Sequence, residues 1–199
     1  MTLLDNTGEK MEITQHYAFS GLFNGCTGLV DAGDLKLPAT TLDAAAYLDL
    51  FRGCSYLTTS PKELPALIAP HVAYANMFYN CTNMTSVPET VGTREYGQSA
   101  CESMYFGCEN IPTTVTLKAT KFHYTAFSYM FYNTDSNNKF IIDMTECTSV
   151  PPLEDTYGLY TINRTYTIVV PDELYNSWIN ATNWSIVKSH IVRESDYTA

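Results

Sequence analysis

The sequence is poor in basic residues: 11 Lys and Arg stand against 21 Asp and Glu in 199 residues, a formal net charge of −10. That balance opposes long-range attraction to phosphate backbones and anionic lipid, so nucleic acid is not expected as a partner. Long apolar runs are missing as well. No stretch approaches the roughly 18 residues a spanning helix needs, so no membrane insertion is expected. The start, Met1-Thr2-Leu3-Leu4-Asp5-Asn6, has neither the basic opening nor the apolar centre of a signal peptide. If Met1 is the natural start, ordinary signal-peptide export of this chain alone is not expected. Charged residues make up only 16% of the chain and hydrophobic ones 45%, too few and too many for disorder, which predicts a single domain with one sizeable core.

The residue sets of familiar chemistry are equally scarce. The four histidines, His16, His71, His123 and His190, are far apart and form no His-Glu-x-x-His pair that would place two metal ligands on one helical face. The cysteines lack the close pairing of zinc motifs, and Cys101 and Cys108, on one short helix, would sit roughly 10 Å apart, too far for a disulfide. Gly97-Gln98-Ser99-Ala100-Cys101 comes nearest to a nucleophile elbow but lacks its final glycine and a preceding apolar strand. There is no phosphate-binding glycine loop and no Asp-x-Asp-x-Asp-Gly calcium loop. The expectation is a protein without catalytic residues, metal or cofactor. Glycosylation sequons at Asn80, Asn83, Asn163, Asn180 and Asn183 are read as the chance product of abundant Asn and Thr.

What is present is a repeat. Cys26, Cys54, Cys81 and Cys108 lie 28, 27 and 27 residues apart. Aligned on them, the copies read Phe19 to Cys26, Tyr47 to Cys54, Tyr74 to Cys81 and Cys101 to Cys108, with a fifth from Phe127 to Thr134 in which threonine replaces cysteine. Apolar residues recur seven, four and three places before the cysteine, as in Tyr74, Met77, Phe78 and Cys81, which is the spacing of one buried helical stripe. Gly25, Gly53, Asn80, Gly107 and Asn133 precede the cysteine position, and these residue types tolerate the left-handed conformation that ends a helix. Each copy therefore predicts a short helix with a built-in stop. Threonine and β-branched residues follow, as in Thr113-Thr114-Val115-Thr116-Leu117, and predict a short strand. A single coil cannot bury its own stripe, so coils must stack. On this pattern the four cysteines form a buried, reduced structural ladder of small hydrophobes. Beyond the repeats, Tyr166 to Val170 predicts a strand, and Pro171-Asp172-Glu173-Leu174 opens a helix.

These residues resemble the BspA-like leucine-rich-repeat family, whose members repeat a Tyr-x-x-Met-Phe-x-Gly-Cys-x-x-Leu core followed by a segment like Leu37-Pro38-Ala39-Thr40-Thr41-Leu42. Val170-Pro171-Asp172-Glu173-Leu174-Tyr175 and Ala181-Thr182-Asn183-Trp184-Ser185 look like the family's terminal element, and the match runs from about Tyr17 to Val192. The fold expected is α/β: a right-handed leucine-rich-repeat solenoid of about five coils, each a helix plus a short strand, with a C-terminal strand-helix cap. Its parts would be an N-terminal cap over 1–16, the solenoid over 17–160 and the C-terminal cap over 161–199. One departure is a delay of about ten residues within Asp135 to Glu146 before Thr148-Ser149-Val150-Pro151, so the fifth coil is expected to be irregular.

The resemblance implies a non-catalytic binding or attachment module on a bacterial or phage surface, adhesive in character, recognising a protein or a surface glycan. The alternative it leaves open is a phage virion structural or decoration protein contacting coat or tail subunits. The candidate ligand-binding residues are aromatic. Two places before the cysteine, off the predicted buried stripe, stand Asn24, Arg52, Tyr79, Phe106 and Tyr132, with Tyr129 beside the last. Stacked coils would project Tyr79, Phe106 and Tyr132 as a row suited to sugar rings or protein partners. The same rings could instead be shielded between adjacent coils, and the sequence leaves both readings open.

Overall fold

In the computed structural model, residues 11–162 and 165–198 are described. The expected N-terminal cap lies largely outside them, as does the sequon at Asn163. Consecutive segments stack in parallel at the spacing of the sequence repeat. Strand β1 (Met11–Glu12) pairs with β2 (Ala39–Thr41), and β3 (Glu63–Leu64) with β5 (Thr90–Val91). β4 (Ile68–Ala69), β6 (Glu95–Tyr96) and β8 (Lys121–Phe122) form a second parallel face. A longer sheet joins β7 (Thr114–Lys118), β9 (Lys139–Asp143), β10 (Thr165–Val170) and β11 (Ile191–Arg193).

The segments before the cysteines contradict the helix expectation. In the stretch ending at Cys54, the N–H groups of Leu48, Leu50, Arg52 and Cys54 each donate to the carbonyl three residues back. The alternate N–H groups of Ala45, Tyr47, Asp49, Phe51 and Gly53 donate across to His71, Ala73, Ala75, Met77 and Tyr79 in the next coil. Every fourth residue is left-handed: Ala45 (φ 57°), Asp49 (φ 57°) and Gly53 (φ 71°) here, then Val72, Asn76 and Asn80 in the following coil. The segment is a run of tight turns hydrogen-bonded sideways, with no i to i−4 helical ladder. The residues before the cysteines are left-handed, as their types suggest, but each ends a series of such positions and stops no helix.

The architecture is therefore mixed α/β, with short strands in parallel sheets, and the leucine-rich-repeat solenoid of five helix-bearing coils is not what forms. Among the described residues the only α-helices are α1 (Tyr157–Tyr160) and α2 (Tyr175–Asn180), with 3-10 turns at Asp172–Leu174, Trp184–His190 and Glu194–Asp196. All lie beyond Thr134, the last of the five cysteine positions. The cause of the misreading is geometric. Buried residues recur with a period of four in the turns, and a helix repeats every 3.6, so over seven residues the two drift apart by only about 70° and fit the same apolar stripe.

Packing explains why the turns win. Left-handed φ costs a non-glycine residue about 1–2 kcal/mol, and Val72 at φ 48° accepts that cost. In return, the sideways bonds satisfy alternate backbone donors and bring equivalent side chains into register. Phe23, Phe51, Phe78, Tyr105 and Phe131 stack ring on ring at centroid spacings of 5.4 to 5.7 Å, and Phe19, Tyr47 and Tyr74 form a second stack at 5.9 and 6.0 Å. Around these stacks lie Leu50, Met77, Met104 and Met130, all fully or nearly fully buried. At the C-terminal end the core continues under Trp178 and Trp184, whose rings meet edge to face at 4.5 Å.

Candidate binding surface

The cysteine ladder is present in three of its four places. Cys54, Cys81 and Cys108 are buried, and their thiols donate to the carbonyls of Phe23, Phe51 and Phe78 in the preceding coil at 3.0, 3.1 and 3.0 Å. Burial pushes the Cys54 thiol up to about 11 and that of Cys108 to about 12, so neither supplies thiolate at neutral pH. Cys26 departs from the expectation of a fully buried set. It is a free thiol exposed in the first turn segment, where no preceding turn segment among the described residues offers it a carbonyl. Thr134, in the cysteine position of the fifth repeat, turns its hydroxyl back to the Phe131 carbonyl at 2.9 Å.

The aromatic row exists, and its geometry combines both readings. Arg52 lays its guanidinium over the Tyr79 ring at 4.4 Å. Tyr79 stacks on Phe106 at 4.4 Å with 8° between planes, and Phe106 stacks on Tyr132 at 5.2 Å and 17°. Both faces of Tyr79 and Phe106 are thus covered by neighbours in the row, leaving ring edges as the part of these half-buried residues that meets water. Tyr132 and Tyr129, at 41% and 38% exposure, stand more openly and meet edge to face at 6.4 Å.

The row ends in a residue that the sequence reading did not single out. The hydroxyls of Tyr129 and Tyr157 approach to 3.5 Å, and that hydrogen bond raises the Tyr129 phenol above its ordinary pKa. Tyr157 is 56% exposed. Its position 28 residues after Tyr129 matches the repeat spacing, which is the signal that could have found it. The strip carries little charge, since the Arg52 guanidinium also bonds Asp49 at 3.2 Å.

Other features singled out from the sequence resolve into structural roles. Asn83 donates its amide to the Ser55 carbonyl at 2.8 Å and Asn183 to the Leu153 carbonyl at 2.7 Å, so two of the sequon asparagines tie neighbouring segments together. Ser99 has left-handed φ within a turn segment, and Cys101 is buried. Among the described residues no group of three or more His, Cys, Asp or Glu side chains is placed to hold a metal ion, and no helix is long and apolar enough to cross a membrane. No family model matches this chain, and no curated protein matches it.

Proposed function

We propose that this protein is a non-catalytic binding module whose contact surface is the strip running from Arg52 through Tyr79, Phe106 and Tyr132 to Tyr129 and Tyr157, and that its partner is a protein. The observation that carries this reading is the face-to-face stacking within the strip. Sugar rings bind aromatic side chains through open faces, whereas here the faces of Tyr79 and Phe106 are occupied and the electropositive edges point outward. Edges and tyrosine hydroxyls suit backbone carbonyls and side-chain acceptors of another polypeptide. Tyrosines of this kind supply large, stiff, amphipathic contact area at small entropic cost. Display on a bacterial or phage surface follows from the resemblance to the BspA-like surface proteins and is part of the same proposal.

The test replaces Tyr129, Tyr132 and Tyr157 together by serine. These positions are exposed, so the denaturation midpoint should stay close to that of the parent. Adsorption to immobilised bacterial-surface, host-surface and virion proteins should fall by about tenfold or more, because a few aromatic anchors dominate such interfaces. Undiminished adsorption of a folded triple variant would refute the assignment. Adsorption restricted to glycans would refute the choice of a protein partner.

A further inference from the structure

A second surface, independent of the aromatic strip, lies at the end of the stack farthest from Tyr157. There β1 supplies a rung beside β2, but among the described residues nothing stacks on the outer side of the first turn segment, Tyr17 to Cys26. Positions that belong to the core in the next coil are therefore uncovered. Ala46, Tyr47, Leu50, Phe51 and Cys54 are at most 2% exposed. Of their counterparts, Ala18 and Cys26 are exposed, Leu22 is 49% exposed, and Phe19 and Phe23 are half-buried.

The backbone gives this face one polarity. The N–H groups of Phe19, Gly21, Phe23 and Gly25 point inward and donate to the Ala46, Leu48, Leu50 and Arg52 carbonyls at 2.7 to 3.0 Å. The matching carbonyls of the first segment, those of Ala18, Ser20, Leu22 and Asn24, accept no hydrogen bond from the described residues. They form a row of acceptors. A partner that satisfies the row and covers the rings must present an N–H at every second residue with apolar side chains between. A second copy of this chain does not meet that condition. Two copies meeting at this end would set acceptors against acceptors. At the opposite end the donor side is closed, since the Tyr129 N–H is bonded to the Thr161 carbonyl and the Phe127 and Phe131 rings are covered by Phe140 at 5.2 and 5.3 Å.

We infer that the first turn segment is a docking face for a turn segment of a different polypeptide, which stacks on it as one coil stacks on the next and donates alternate N–H groups to the Ala18, Ser20, Leu22 and Asn24 carbonyls. The contact continues the interface already repeated along the stack, with main-chain bonds supplying affinity and the apolar side chains between them supplying selectivity. It also completes the cysteine ladder. The thiols of Cys54, Cys81 and Cys108 each donate to a carbonyl of the coil before, and a docked segment brings Cys26 the carbonyl it lacks. Docking therefore buries the one exposed thiol of the six.

The probe is the peptide acetyl-His-Tyr-Ala-Phe-Ser-Gly-Leu-Phe-Asn-Gly-Ser-Thr-amide, which copies residues 16–27 with serine in place of the cysteine. In the intact chain this run already presents its donors to the coil that follows. Titrated into the isotope-labelled full chain, the peptide should bind saturably, shift backbone amide resonances of residues 17–26 and slow the reaction of Cys26 with a thiol reagent. Replacing both of its glycines by sarcosine removes two of the four N–H groups and should weaken binding by about tenfold or more. Leu22→Asp sets a charge in the face and should weaken the parent peptide by about tenfold or more, with the melting midpoint close to that of the parent because Leu22 is exposed. No saturable shift at millimolar peptide, equal binding of the sarcosine peptide, an unchanged Cys26 rate at saturation, or shifts centred on Tyr129 and Tyr132 would each overturn the inference. So would a dimer of the chain alone that protects Cys26, which would make a second copy the occupant, or protection of Cys26 by maltose when the peptide gives none.

Discussion

Truncating one ring of the longer interior stack probes the physical basis of the fold. Phe78 is fully buried and sandwiched between Phe51 at 5.5 Å and Tyr105 at 5.7 Å. Phe78→Ala removes the ring from two stacked pairs and opens a gap about one ring thick, which Phe51 and Tyr105 cannot close because sideways backbone bonds hold their coils in place. Core Phe to Ala changes cost about 3–5 kcal/mol, and a site that cannot collapse belongs in the upper half of that range. Phe23, at the first coil, stacks among the described residues on Phe51 alone, at 5.4 Å, and is only half-buried. Phe23→Ala should therefore cost about 1–2 kcal/mol, with one neighbour lost and no enclosed void. Urea denaturation followed by far-ultraviolet circular dichroism measures both, with an unchanged slope expected for each variant. In thermal melts the interior change should lower the midpoint by about 8–20 °C. Equal losses for the two variants would refute the account, since they would mean that both faces of Phe23 are as well covered as those of Phe78.

Gly53→Val forces a β-branched side chain into φ 71° and should destabilise by about 1 kcal/mol or more, whereas Asn80→Gly, at φ 56°, should be neutral or slightly stabilising; paired melting curves check the contrast. Thiol titration should find one reactive group in the native protein, Cys26, and six after denaturation, because Cys54, Cys81, Cys101, Cys108 and Cys147 are buried. More than one fast-reacting native thiol would contradict the ladder. Glu146 is held down to about 2 by hydrogen bonds from Arg94 and Lys118, below the ordinary carboxyl value of 4.5. A depressed folded pKa means that its stabilisation is present above about 4.5 and is lost as pH falls towards about 2. At 42% side-chain exposure solvent screens much of it, so Glu146→Gln should cost under about 1 kcal/mol at pH 7 and nothing measurable near pH 2. A gap between parent and variant that widens on acidification would reverse the assigned sign.

Much of the arrangement was legible because a repeat constrains side chains directly. The period of the cysteines gave the stacking interval, and the apolar positions before them gave the buried row, since Tyr47, Leu50, Phe51 and Cys54 all face the core. The aromatic row two places before the cysteine was legible for the same reason. Its face-to-face order was not, because ring orientation depends on the distance between coils. Tyr157 was missed because the regular motif breaks after Thr134.

By itself the sequence determined which positions of each repeat face inward and at what interval they recur, because that follows from the order of apolar and polar residues along the chain. Only the tertiary structure decided the backbone that serves that pattern. A period near four fits a helix and a run of turns equally well within one short segment. The choice is made by neighbouring coils, whose carbonyls accept alternate N–H groups and so reward turns that leave those groups pointing sideways. Coverage was decided at the same level: Cys26 and Cys54 occupy equivalent positions in sequence, yet one is exposed and the other buried, because among the described residues only the second has a preceding turn segment stacked against it.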